Sequence, residues 1–201
     1  QYYFGMNELD IQKYLNSIVQ RIKNDNQNSI IEALKDIQEL KKAELITPEI
    51  VDFLFPIIIP LLIHMNYKIR LMSFEIEAYF LTSFCNYIYN SHVAFPNVIS
   101  SLSCVNKKIV ALARDCASII MNIEYPINWW PHLEQKLSTS RSLNQKIIIL
   151  DLLLEHIDEI HHSKTENANC IPVEFICKLL TDPKIQIQKK AMYILEKVRQ
   201  E

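Results

Sequence analysis

Glycine is all but missing. One residue in 201 is glycine, Gly5, and it lies in the terminal stretch Gln1-Tyr2-Tyr3-Phe4-Gly5 ahead of Met6. Residues 1–5 read as the remnant of an expression tag, with the native start at Met6 or upstream. From residue 6 onward the chain then has no glycine. Tight β-hairpins, bulges and dinucleotide-binding turns use glycine for positive φ or close backbone approach. A chain that never needs it is helical, with turns built from Asn, Asp, Ser and Pro. The same lack removes phosphate-binding loops, the dinucleotide fingerprint and the nucleophile elbow.

Other shortages narrow the reading. There is no excess of one charge: 21 basic and 23 acidic residues leave a net −2, without the basic surplus that nucleic acid calls for. The most apolar run, 53–63, is short of the roughly 20 residues that span a bilayer, and Pro56 and Pro60 interrupt it. The expectation is therefore no membrane and no nucleic-acid partner. The five cysteines (Cys85, Cys104, Cys116, Cys170 and Cys177) are odd in number and scattered, as expected of reduced, buried thiols in the cytoplasm. No His-Glu-x-x-His or Cys-x-x-Cys motif occurs. The nearest approach to a metal cluster is His156, His161 and His162, with Cys170 beyond. Five residues separate His156 from His161, which sets them on different helix faces, so this reads as a solvated helix end. No cofactor, metal or small-molecule substrate is expected, and the chain is read as a non-enzyme.

What is present is a repeat. Asn66-Tyr67-Lys68-Ile69 recurs as Asn106-Lys107-Lys108-Ile109, as Asn144-Gln145-Lys146-Ile147 and as Asp182-Pro183-Lys184-Ile185, with steps of 40, 38 and 38 residues. One more step back gives a degenerate copy, Asn28-Ser29-Ile30-Ile31. In each copy Asn or Asp is placed to cap a helix, and the isoleucine (Ile31, Ile69, Ile109, Ile147, Ile185) opens an apolar stripe at steps of three and four. The stripes run Ile69, Met72, Ile76, Phe80, then Ile109, Leu112, Cys116, Ile119 or Ile120, then Ile147, Leu150, Leu154, Ile157. Ahead of each lies another apolar segment, at 9–22, 50–63, 93–102, 129–137 and 173–180. Thr47-Pro48 reads as a cap followed by proline at the first helical position, and Ile171-Pro172 looks the same.

Each period is thus helix, turn, helix. A two-helix period near 40 residues resembles the HEAT and armadillo class, which runs about 40–47. In the last copy Asp182-Pro183, Ile187, Ala191 and Leu195 are similar to the HEAT pattern. The fold expected is all-α, a right-handed α-solenoid of about five HEAT-like helical hairpins. Residues 6–201 form one such domain, with repeats at about 7–45, 46–89, 90–124, 125–163 and 164–201. The polar stretch 158–169 reads as a surface loop. The chain stops within its last helix, so a fragment of a longer protein is expected.

The repeated lysine carries the functional reading. Lys68, Lys108, Lys146 and Lys184 each stand two residues after the expected cap, where a cation meets the positive end of the helix dipole at a cost of about 0.3–1 kcal/mol. Lys23, Arg70, Lys107 and Arg141 add to the row. An acidic partner docked along these turns is one reason for the pattern. Pairing with an acidic residue of the adjacent repeat, or descent from one ancestral repeat, is the other. HEAT arrays that bind through such turns resemble TOG domains. That resemblance implies tubulin as partner, with Lys68, Arg70, Lys108, Arg141 and Lys184 as contacts and Tyr67 as an aromatic contact. It also implies a cytoskeletal setting such as the microtubule, centrosome or cilium. The first turn, Asn24-Asp25-Asn26-Gln27-Asn28, departs from the family pattern of a tryptophan followed by a basic residue. Trp129 and Trp130 are no substitutes, since they fall in a first helix.

The alternative is a HEAT scaffold or adaptor that binds a non-tubulin protein or peptide on its concave face, where Glu75 and Glu77 could receive a basic peptide. Phe74, Tyr79, Phe80, Phe84, Tyr87 and Tyr89 make the fourth helix aromatic, and they read mainly as core. Of Trp129 and Trp130, one is expected to pack between repeats; the pair reads mainly as packing, with a surface anchor as the alternative for the other. Lys41-Lys42 reads as a solvated helix end.

Overall fold

The structure is a computed structural model, and it describes residues 8–162 and 172–199. Residues 1–7 and 163–171, and with them the tag remnant, most of the 158–169 loop and Cys170, lie outside the described residues, as do the side chains of His161 and His162.

The described residues form ten α-helices and no strand. They group into two compact units, Gln1–Tyr89 and Asn90–Glu201. Unit 1 holds α1 (Glu8–Lys23), α2 (Gln27–Lys42), α3 (Pro48–Ile58) and α4 (Tyr67–Phe84). A 3₁₀ turn, Ile59–Ile63, follows α3 without a break, where Pro60 stops the α-helix from continuing. Helix α1 pairs with α2 and α3 with α4, while α2 packs on α4 and α1 on α3. Unit 2 holds α5 (Phe95–Ser101), α6 (Lys107–Ile123), α7 (Pro126–Thr139), α8 (Leu143–His162), α9 (Val173–Leu179) and α10 (Ile185–Arg199). Here α5–α6, α7–α8 and α9–α10 are the hairpins, α5 packs on α7, and α8 packs on both α6 and α10. In each unit, first helices thus lie on first helices and second on second.

With no glycine to hand among the described residues, Asp25 (φ 53°) and Glu44 (φ 57°) take the left-handed conformation. Glu44 closes α2. Its N–H donates to Lys41 O (3.0 Å) and that of Leu45 to Leu40 O (3.0 Å), the paired bonds of a helix terminus that usually ends in glycine.

The caps correct the sequence register. Asn66 and Asn106 cap α4 and α6 as expected. In the first copy the cap is Asn26, not Asn28. In the fourth, α8 begins at Leu143, Ser142 Oγ accepts the Gln145 N–H (3.2 Å), and Asn144 lies inside the first turn. In the fifth, Asp182 Oδ1 accepts the Lys184 N–H (2.9 Å), and Lys184 O accepts the first helical bonds of α10. Pro172 occupies the cap position of α9 rather than its first turn.

The stripes shift with the caps. Ile69 and Ile109 are fully buried, Ile31 and Ile147 only partly, and Ile185 is exposed. The wall of α8 is Ile149, Leu150, Leu152, Leu153 and Ile157, with Leu154 partly exposed, and that of α6 replaces Leu112 with Ala113. Trp129 and Trp130 are both buried, in keeping with the packing reading, and neither is a surface anchor. Helix α7 starts at Pro126, so the pair falls one turn into it. The Trp129 Nε1–H donates to Glu124 O (3.2 Å), the Trp130 Nε1–H donates to Glu134 Oε2 (3.2 Å), and the Trp130 ring meets Phe175 of the next hairpin edge-on at 5.9 Å.

Candidate functional site

In unit 1 the turn between α3 and α4 is built on Asn66. Its Oδ1 accepts the Lys68 N–H (2.9 Å), and its Nδ2 donates to Gln27 Oε1 (2.7 Å). That second bond ties this turn to the α1–α2 turn, on which Lys23 is exposed at the end of α1. Tyr67 and Lys68 are exposed, and Met65, the residue before the cap, is 96% exposed. Arg70 turns back instead: its guanidinium donates to His64 O (3.1 Å) and Ile63 O (3.2 Å), closing the 3₁₀ turn. Glu32 on α2 lies in the field of this edge. Its hydrogen bond with Lys35 lowers its carboxyl pKa, with lesser help from Arg21 and Lys68.

In unit 2 the α5–α6 turn repeats that plan. The exposure of residues 61–70 recurs position by position at 101–110. Asn106 Oδ1 accepts the N–H groups of Lys108 (3.0 Å) and Ile109 (3.3 Å), Lys107 and Lys108 are exposed, and Val105 is 97% exposed. An apolar residue before a helix cap often folds back onto the fourth helical residue. Met65 and Val105 do not; they stand in solvent beside the lysines. Sequence reasoning missed both, although each directly precedes the repeated asparagine.

The remaining predicted site residues are placed differently. Arg141 is exposed ahead of the Ser142 cap. Lys146 is four residues past that cap and pairs with Asp182 (3.1 Å), so it ties the α7–α8 turn to the α9–α10 turn. Burial works against the Asp182 carboxylate, yet the Lys184 N–H and Lys146 outweigh it and hold its pKa below the usual value. Lys184 is exposed at the start of α10. The four repeated lysines therefore hold three positions relative to their real caps: Lys68 and Lys108 share one, and Lys146 and Lys184 have one each.

The second helices are linked by charge and hydrogen bonds. In unit 1 the Gln38 amide donates to Glu75 (3.2 Å), and at the exposed end of α2 Lys41 lies over the Tyr79 ring (4.2 Å). In unit 2 Arg114 of α6 pairs with Glu155 of α8, and Asp151 of α8 with Lys190 of α10. Glu77 does not reach any surface: it is wholly buried, so it cannot receive a basic peptide. Phe74 and Phe80 are core, whereas Tyr87 and Tyr89 lie beyond α4 and are exposed.

His156 is buried, its ring bonded to Ser118 Oγ (3.2 Å) and Ser118 O (3.1 Å), not solvated. Of the described cysteines Cys116 is buried, Cys85 and Cys104 are partly exposed, and Cys177 is exposed, which corrects the expectation of buried thiols throughout. Among the described residues no group of three or more His, Cys, Asp or Glu could hold a metal ion, and no helix is long and apolar enough to cross a membrane.

No family model matches the chain, and no curated protein matches it in sequence. Solved structures do match in fold. The chain is similar to the MAST/Orbit N-terminal domain, at 18% identity and a TM-score of 0.55, over 91% of this chain and 82% of that one. It is also similar to an engineered protein, at 14% identity and a TM-score of 0.51, over 92% of this chain and about half of the other (47%). At these identities the likeness is one of fold, and the fold is an all-α solenoid of HEAT-like hairpins.

Proposed function

We propose that this chain is a non-catalytic protein-interaction module that docks an acidic protein surface along its intra-repeat turns, with tubulin as the partner. One observation carries the reading. The turns at 63–68 and 103–108 share the same exposure, with nearly bare Met65 beside Tyr67 and Lys68 in unit 1 and Val105 beside Lys107 and Lys108 in unit 2. Exposed apolar tips beside cations suit a partner surface that is acidic and has apolar recesses. Lys23, Arg141 and Lys184 extend the basic character of these edges within their own units. Lys146 and Arg70 serve through the turns they brace. Tubulin enters from the TOG resemblance of the turn-borne basic residues.

A peptide laid on the second helices has less support, because Glu75, Arg114, Asp151, Glu155 and Lys190 are already engaged there. The test is co-elution with αβ-tubulin in size-exclusion chromatography at low and moderate salt, beside a variant with Lys68, Lys108 and Lys184 changed to Glu. Co-elution that weakens with salt and is lost in the variant is the expected result. No co-elution at low salt removes tubulin and leaves a scaffold for another protein.

A further inference from the structure

Glu77 stands in the middle of α4 at zero exposure, and neither of its carboxyl oxygens has a hydrogen-bond partner. Among the described residues no other buried side chain is left in this state. Ser73, one turn earlier and equally buried, spends its hydroxyl on Ile69 O (2.8 Å).

The elements packed most extensively on α4 are α2, α3 and the 3₁₀ turns Ile59–Ile63 and Cys85–Tyr87. Their ionisable groups are engaged elsewhere or lie at the surface. On α2, Glu32 pairs with Lys35, Glu39 with Lys42 and Asp36 with Arg21, and Lys41 covers Tyr79. On α3, Glu49 and Asp52 are exposed. Residues 59–63 have no ionisable side chain, and His64 beyond them accepts the Asn66 N–H (3.0 Å). At the far end Cys85 contacts Asn86 and Tyr87 is exposed. On α4 itself Lys68 is exposed, Arg70 bonds to the 63–64 carbonyls, and Glu75 accepts from Gln38. No charge on these elements compensates Glu77, and burial pushes its carboxyl pKa up to about 8.

We propose that Glu77 is a proton-operated lock on α4, which holds its packed position with the neutral acid and is freed to open when the proton leaves. A neutral carboxyl tolerates apolar surroundings, whereas its anion without partners does not. The sign follows from the order of the two states. The packed state keeps a proton that the open state gives up above the ordinary glutamate range, near 4.3. The packed state is therefore favoured at low pH and loses ground as pH rises through that window, levelling off above about 8.

Amide hydrogen exchange of the full chain, corrected for the intrinsic effect of pH, tests this between about pH 6 and pH 8. Opening of α4 is expected to rise on the order of tenfold per pH unit, while α10 stays flat. In Glu77→Gln and in Glu77→Leu the dependence of α4 should vanish; the second variant serves if a buried amide prevents folding. The carboxyl carbon of Glu77, followed by NMR in the unmodified chain, should titrate near the raised value. Exchange of α4 that does not change with pH, the same dependence in Glu77→Leu, or a carbon that titrates in the ordinary glutamate range would each overturn the proposal.

Discussion

Single residues carry much of the cost in this fold, and Glu44 is the plainest case. A side chain with a Cβ held at φ 57° costs about 1–2 kcal/mol relative to its relaxed conformation, and the terminus it closes is one that glycine fits without strain. Glu44→Gly is expected to stabilise the chain by about 0.5–1 kcal/mol after allowing for glycine's larger entropy when unfolded, as read from urea denaturation. No gain would mean that the Glu44 side chain makes up the strain in some other way. Trp130 lies at the other extreme. Its ring is buried, meets Phe175 of the next hairpin and keeps its N–H on Glu134. Trp130→Ala should cost about 3–5 kcal/mol, far more than a surface anchor would.

At the scale of the element, the caps decide which helix faces turn inward. The third residue after the true cap is Ile69, Ile109, Gln145 and Ile187 in α4, α6, α8 and α10, and all four are buried. Gln145 is the odd member. Its amide donates to Ile99 O (2.7 Å) and accepts from Ser140 Oγ (2.5 Å), which joins α8 to α5. Gln145→Ala is expected to destabilise the chain by about 1–3 kcal/mol, because Ser140 Oγ loses its acceptor and the Ile99 carbonyl loses its shorter bond, keeping only the Leu102 N–H at 3.3 Å; chemical denaturation at neutral pH measures it. The same register explains what could be read from sequence. Helix number, order and pairing were legible in the 38–40-residue spacing, because amphipathic period and turn chemistry coincide there. Asn144 and Asp182 misled because Asn and Asp also serve inside a first turn or two residues ahead of it, and Ser142 was the better placed acceptor. The burial of Glu77 was not legible, since its spacing marks it, with Glu75, as a polar residue open to a peptide.

Across the whole molecule, the candidate site was legible in its lysines but not in its apolar half. Lys68 and Lys108 repeat in register, while Lys146 is drawn into a tie with Asp182. The exposure of Met65 and Val105 depends on their failing to fold back onto the helix, which no residue pattern reveals. They offer a test that charge reversal does not. Replacing both with Ser should leave the melting temperature nearly unchanged, since each is almost fully exposed. If the chain docks tubulin as proposed, the double replacement should weaken co-elution at moderate salt, where the apolar share of binding dominates. Unchanged co-elution would assign the edge to its charges alone.

The ties between neighbouring turns have a further consequence. Gln27 holds Asn66 in unit 1, and Lys146 holds Asp182 in unit 2. Turns are ordinarily the parts of a fold that must be ordered when a partner arrives. Here, within each unit, two of them are fastened to each other beforehand, so less freedom remains to be lost on association. If these turns are the docking surface proposed above, the lifetime of the complex depends also on Gln27 and Asp182, whose own part is to hold the turns and not the partner.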